Sequence, residues 1–208
     1  MSPELMQRIT SGVILGSIVI LLTLLSTATF ALMATAGWYI LISEWYGLTK
    51  HRGTWYTVLG AFYITAALLA LTYLRVVDLN ILLAVLAIVW TGDIAAYFTG
   101  KQFGKHKIAP TISPGKSWEG LAGSVIASAI MGAVLGHVAP IPHAFIGALF
   151  AVLGLGGDLF ESSLKRHAGM KDSGTLIPGH GGLFDRVDAL LPCAIFGAVA
   201  LYIRLGMQ

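Results

Sequence analysis

Residues 9–48 read ITSGVILGSIVILLTLLSTATFALMATAGWYILISEWYGL, forty positions with one formal charge, Glu44. A helix needs about 20 apolar residues to cross the hydrocarbon core, so this stretch is long enough for two. Small polar residues, Ser26, Thr27 and Thr29, interrupt it near the middle, which predicts a helical hairpin. A cleavable leader is the competing reading, because Arg8, the apolar run Gly12 to Leu25 and Ser26-Thr27-Ala28 fit its three regions. The second apolar segment that follows at once favours the hairpin.

Outward from that hairpin the pattern repeats. Further apolar spans run from Thr54 to Leu74, Leu79 to Phe98, Gly120 to Ala139, Ala144 to Ser162 and Ala189 to Ile203. The expectation is an all-α polytopic membrane protein of about seven transmembrane helices. It forms a single membrane domain over 1–208, with N-terminal helices in 1–78 and the chemistry-bearing helices and loops in 79–208. Composition agrees: 56% of the 208 residues are hydrophobic and 11% charged, which excludes an ordinary soluble domain. The lone Cys193 lies in an apolar run and reads as a small core residue.

Basic residues are sorted by side. Arg8, Lys50, Arg52, Lys101, Lys105, Lys107, Lys116, Lys165, Arg166, Lys171 and Arg186 fall on one side of the seven-helix scheme, and only Arg75 and Arg204 on the other. By the positive-inside rule the N-terminus and both long polar loops face the cytoplasm and the C-terminus lies outside. The net charge of +3 therefore reflects topology, and no nucleic-acid partner is implied.

Three acids share a depth. Leu79 to Gly92 gives 14 residues before Asp93, Ala144 to Gly157 gives 14 before Asp158, and Ile203 back to Ala189 gives 15 before Asp188. At 1.5 Å per residue each lies roughly 21 Å from the outer face of a core about 30 Å thick. Acids at that depth are costly and face a polar cavity more often than lipid, although Asp93 could also end a short helix and snorkel to water. A polar cleft open to the cytoplasm is expected. Asp158 and Glu161, and Asp185 and Asp188, are spaced i, i+3, so each pair could share a helical face; for Glu161 an i, i+4 contact with Lys165 is the plainer reading.

Two polar loops hold most of the remaining charge. Residues 162–188 read SSLKRHAGMKDSGTLIPGHGGLFDRVD, a basic, glycine-rich loop flanked by the acidic pairs. Carboxylates suit a divalent cation, whereas Lys, Arg and free amides suit phosphate oxygens. Gly179, Gly181 and Gly182 around His180 let backbone approach a ligand, or serve a flexible turn. His180 reads as a ligand contact. In the other loop, residues 99–119, Pro114 suits the first turn of a helix with Ser113 as N-cap, aiming amides and Lys116 at an anion. The lysines at 101, 105 and 107 are equally explained by topology. A P-loop is excluded, since Pro110 stands where its first glycine belongs.

Taken together, Ser162, Leu164, Lys165-Arg166, Lys171-Asp172, Gly174, Ile177-Pro178, His180-Gly181-Gly182-Leu183 and Asp185-Arg186-Val187-Asp188 form a long gap-free pattern that resembles the motif of the CTP:phosphatidate cytidylyltransferases, or CDP-diacylglycerol synthases. Gly92-Asp93, Ala96-Tyr97, Gly100, Phe103-Gly104-Lys105, Ser113-Pro114, Lys116 and Glu119-Gly120 resemble a second block of that family. The resemblance covers residues 92–206 well and the first 50 more loosely, through Gln7-Arg8-Ile9 and Glu44-Trp45. Members are usually longer, with more hydrophobic helices where this chain has only residues 50–78.

That resemblance implies condensation of CTP with phosphatidate to CDP-diacylglycerol and pyrophosphate, in a bacterial-type inner membrane with the active site facing the cytoplasm. With it goes the expectation of Mg2+ on Asp158 and Asp185, with Asp93, Glu161 and Asp188 either supporting those ligands from behind or holding a second divalent or a monovalent cation. Lys116, Lys165, Arg166, Lys171 and Arg186 would neutralise the phosphates, Asp172 and His180 stand among the catalytic candidates, and Ser113, Pro114, Ser117, Gly181 and Gly182 are candidate nucleotide contacts. The partners are CTP, phosphatidate and membrane lipids, and a homodimer is compatible. Two rivals use similar parts: a CTP-dependent kinase of a long-chain lipid alcohol, and a transporter lined by the buried acids, against which stands the absence of matching polar residues at the opposite helix ends.

Overall fold

The computed structural model describes residues 3–136, 139–176 and 181–206. The break at Ser26 is a capping box: its hydroxyl accepts from the Thr29 amide and the Thr29 hydroxyl accepts from the Ser26 amide, both at 3.1 Å. Helix α1 (Pro3–Leu25) therefore ends and α2 (Thr27–Thr49) begins at the interruption visible in the sequence. Further on lie α3 (Thr54–Val77), α4 (Leu79–Phe103), α5 (Trp118–Leu135), α6 (Pro140–His167), the single-turn α7 (Phe184–Val187) and α8 (Leu190–Gly206).

Helices α3, α4, α5 and α6 are long and apolar enough to cross a membrane, and Val13–Leu25 and Leu190–Gly206 are shorter apolar helices. Leu32, Phe62 and Phe145 are 72%, 74% and 73% exposed. Such side chains pointing outward from apolar helices form a lipid-facing surface, and the chain is an integral membrane protein built on helices.

One element departs from the all-helical expectation. Strands β1 (Lys107–Ala109) and β2 (Ser113–Ser117) pair antiparallel, with Lys107 opposite Ser117 and Ala109 opposite Ser113. Ser113 is thus not an N-cap and Pro114 not a first-turn residue. In a two-stranded ribbon both strands are edges, where a residue lacking an N–H is tolerated. Helix α5 starts after the ribbon, capped by Ser117, whose hydroxyl accepts from the Gly120 amide at 3.1 Å. The ribbon is tied to that start: the Trp118 amide donates to the His106 carbonyl, and Glu119 accepts from the His106 amide and meets its Nδ1 at 2.6 Å.

The chain divides into two compact units, Met1–Leu79 with Leu164–Val187, and Asn80–Ser163 with Asp188–Gln208. In the first, Arg75 at the end of α3 donates to the Thr23 carbonyl at 2.9 Å and to the Thr27 hydroxyl, holding the α1–α2 turn. Trp45 of α2 packs against Gly60 of α3, where a β-carbon would come within 1.6 Å of the indole. In the second unit small residues let helix backbones meet, as membrane helices require. Gly92 of α4 faces Ser124 and Ser128 of α5, and Gly157 of α6 lies against the Asp188 carbonyl. Phe150 and Phe196 pack edge to face at 6.2 Å, and buried Cys193 donates to the Phe150 carbonyl, the core role its sequence context implied.

Candidate active site

In the second unit Asp93 and Asp158 each follow a packing glycine. Gly92 seats α4 on α5 and delivers Asp93; Gly157 seats α6 on the turn before α8 and delivers Asp158. A β-carbon at residue 157 would stand 2.2 Å from the Asp188 carbonyl oxygen, so glycine is what permits that approach. The result is convergence: Lys116 of β2 pairs with Asp158, and Asp93 and Asp188 lie close enough to feel both charges. The Lys116 and Asp158 side chains remain 32% and 23% exposed, so the pair is reachable. Burial, then the Asp158 charge, pushes the Asp188 carboxyl up to about 7. Glu161, one turn beyond Asp158 on α6, is fully buried.

The first unit carries the basic loop. Helix α6 ends in a Schellman motif, with the Gly169 amide bonded to the Arg166 carbonyl, the Met170 amide to the Lys165 carbonyl, and Gly169 at φ 68°. Its last turn presents Lys165, Arg166 and His167. Lys165 reaches Asp185 of α7 at 2.5 Å, with the two side chains only 11% and 5% exposed. The other Asp185 oxygen accepts from the Ser173 amide at 2.9 Å, the Ser173 hydroxyl at 3.0 Å and the Gly182 amide at 2.8 Å. Arg166, Lys171, Asp172 and Arg186 are exposed.

Several expectations are revised by these positions. The Asp185 carboxylate is bonded to Lys165, Ser173 and Gly182. Asp185 and Asp188 do not share a helical face, because α7 stops at Val187 and Asp188 sits in a turn. Ser117 is buried and its hydroxyl caps α5. Ser113 and Pro114 lie in strand β2, so the helix start expected there, with its free amides, is not formed. Gly181, at φ 86°, and Gly182 do form a close-packed turn, with Gly182 donating to Asp185. His180, with Ile177, Pro178 and Gly179, lies outside the described residues.

Glu44 of α2, which sequence reasoning passed over, is the residue this unit adds. It is buried, and its carboxylate accepts from the Leu183 and Phe184 amides at 2.8 Å each and from the Ser173 hydroxyl at 2.9 Å. Its signal was a lone acid in an apolar helix, a pattern that marks function or a buried partner.

Among the described residues no three or more His, Cys, Asp or Glu side chains are arranged to hold a metal ion by themselves. The acids of the second unit nevertheless suit a hard cation that draws its other oxygens from water and phosphate, as magnesium does with one or two carboxylates.

Residues 47–204 match the model of the cytidylyltransferase family. The chain belongs to the cytidylyltransferase family. The chain is 36% identical over 171 residues to the phosphatidate cytidylyltransferase of Brucella suis, an alignment covering 77% of this chain and 62% of that protein. It is 47% identical over 113 residues to the phosphatidate cytidylyltransferase of Mycobacterium bovis, covering 52% and 37%. With that of Bacillus subtilis it shares 45% over 109 residues, covering 50% and 40%. The chain thus spans between about a third and three-fifths of the length of these relatives.

Proposed function

We propose that the chain condenses CTP with phosphatidate to CDP-diacylglycerol and pyrophosphate, with seven helices crossing a bacterial-type inner membrane and the reaction at its cytoplasmic side. The observation that carries this reading is the gathering of Asp93 and Asp158, from the apolar helices α4 and α6, and Asp188 around Lys116. One substrate is held in the membrane by its acyl chains and the other arrives from water, so chemistry belongs at that depth.

In the reaction an ionised phosphate oxygen of the lipid attacks the α-phosphorus of CTP. A new P–O bond forms, the bond between the α-phosphorus and its bridging oxygen breaks, and pyrophosphate leaves with that electron pair. No general base is needed. The obstacle is repulsion between anions, and catalysis is charge neutralisation with alignment. Asp158, with either Asp93 or Asp188, would hold Mg2+, which when bound would supply positive charge to the nucleotide phosphates. Lys116 takes the triphosphate; in the basic loop the exposed Arg166, Lys171 and Arg186 offer charge to phosphate, and Lys165 holds Asp185. We assign Asp185 to loop order, since its oxygens are taken up by Lys165, Ser173 and Gly182.

Purified protein given magnesium, phosphatidate and CTP labelled on the α- or the γ-phosphate tests this directly. Label from the α position should appear in lipid and label from the γ position in pyrophosphate. Transfer of the γ label to a lipid alcohol, leaving CDP, would replace the reading with the kinase.

A further inference from the structure

Glu44 stands apart from every group used above. It comes from the apolar stretch of α2, yet its three hydrogen-bond donors lie 129 to 140 residues further along the chain, at both ends of the glycine-rich turn. One oxygen takes the Leu183 amide, the other the Phe184 amide and the Ser173 hydroxyl. A buried carboxylate is costly unless fully bonded, and bonds to an ionised acceptor are about twice as strong as neutral ones.

The surroundings are built for it. A β-carbon on residue 174 would stand 2.8 Å from the Glu44 carboxylate, and one on residue 182 would stand 2.6 Å from it and 2.2 Å from the Ser173 hydroxyl. Both positions are glycine. The neighbouring Trp45 meets Phe184 edge to face at 5.9 Å and donates its indole N–H to the Tyr56 carbonyl of α3. Ser173 is shared, since its hydroxyl contacts Glu44 at 2.9 Å and Asp185 at 3.0 Å.

We propose that Glu44 is a positioning residue: acting through Ser173 and the Leu183–Phe184 amides, it fixes the turn that carries Asp185 and Arg186 and so sets where the basic loop presents its charge to phosphate. This rests on the reading of the loop as phosphate-binding. Glutamine is the discriminating replacement, being equal in size but unable to offer two acceptor oxygens, so its NH2 would face an amide or a hydroxyl that also donates.

The test has two arms in the purified full chain. Without substrate, Glu44→Gln should speed hydrogen exchange of the Leu183 and Phe184 amides by at least ~10-fold while α3 amides keep wild-type rates. With CTP, magnesium and phosphatidate vesicles, the same variant should raise the KM for phosphatidate roughly 5- to 10-fold. Ser173→Ala should show a milder form, and the double variant should be no worse than Glu44→Gln alone, as residues on one pathway behave. Unchanged amide exchange would overturn the proposal. So would a fall in kcat with both KM values at wild-type level, because loss of folded protein moves kcat alone. If the wild-type protein forms no CDP-lipid the functional reading fails, and the exchange arm still decides whether Glu44 holds the turn.

Discussion

Asp158 and Asp185 look alike in sequence, and the same small change should affect them in opposite ways. Asp185→Asn keeps the shape but places an NH2 against either the Lys165 ammonium or the Ser173 and Gly182 donors. The pair is 11% and 5% exposed, so the stranded group stays largely dry. Breaking a buried pair this way costs about 3–5 kcal/mol. At roughly 2–4 °C per kcal/mol for a chain of this length, Tm should fall by about 6–20 °C. Adding Lys165→Met should recover part of the loss, because asparagine can then turn its oxygen to the Ser173 and Gly182 amides. Asp158→Asn breaks a pair that is 23% and 32% exposed and thins a crowd of acids. Such a pair is worth about 0–1 kcal/mol, and Tm should move by no more than a few degrees. The assay is intrinsic tryptophan fluorescence of detergent-purified variants on heating. A wild-type Tm for Asp185→Asn, or no recovery in the double variant, would refute the assignment of Asp185 to loop order.

Gly157→Ala should cost about 1–3 kcal/mol in the same melting assay, since its β-carbon meets the Asp188 backbone, and it should slow turnover by displacing Asp188 from Asp158; unchanged Tm and turnover would contradict the glycine's role. Lys116→Ala should raise the KM for CTP about 10-fold or more, and unchanged CTP dependence would return that lysine to topology alone. In magnesium-free buffer, stability should fall as pH rises from about 4 to 7: the folded protein retains a proton on Asp188 that the unfolded chain, at an ordinary value of 3.8, releases. Asp188→Asn should flatten that slope, and parallel pH profiles for variant and wild type would show that Asp188 is not its source.

What could be read from sequence depended on how local the cause was. The Ser26 break is a capping interaction spanning three residues, and its small polar letters announce it. The common depth of Asp93, Asp158 and Asp188 is a property of helix rise and could be counted. Their convergence also needed Gly92 and Gly157, whose work is visible only once backbones meet. The ribbon at 107–117 was misread because Ser113-Pro114 is chemically a good helix start, and tertiary pairing with Lys107–Ala109 outweighed it. Asp185 and Glu44 were opaque for the same reason. Apart from the Gly182 amide beside Asp185, their partners are set by loop closure over 12 to 140 residues, and no periodicity encodes which donors a carboxylate will find.

The most direct test of the central claim is single-turnover transfer of α-phosphate label from CTP to phosphatidate vesicles, with wild type and Asp158→Asn matched for Tm. Labelled CDP-lipid should form with the wild type and at least ~100-fold more slowly with the variant, as loss of a charge-stabilising ligand at the reacting phosphates predicts. Equal rates, or no labelled lipid from either protein, would contradict it.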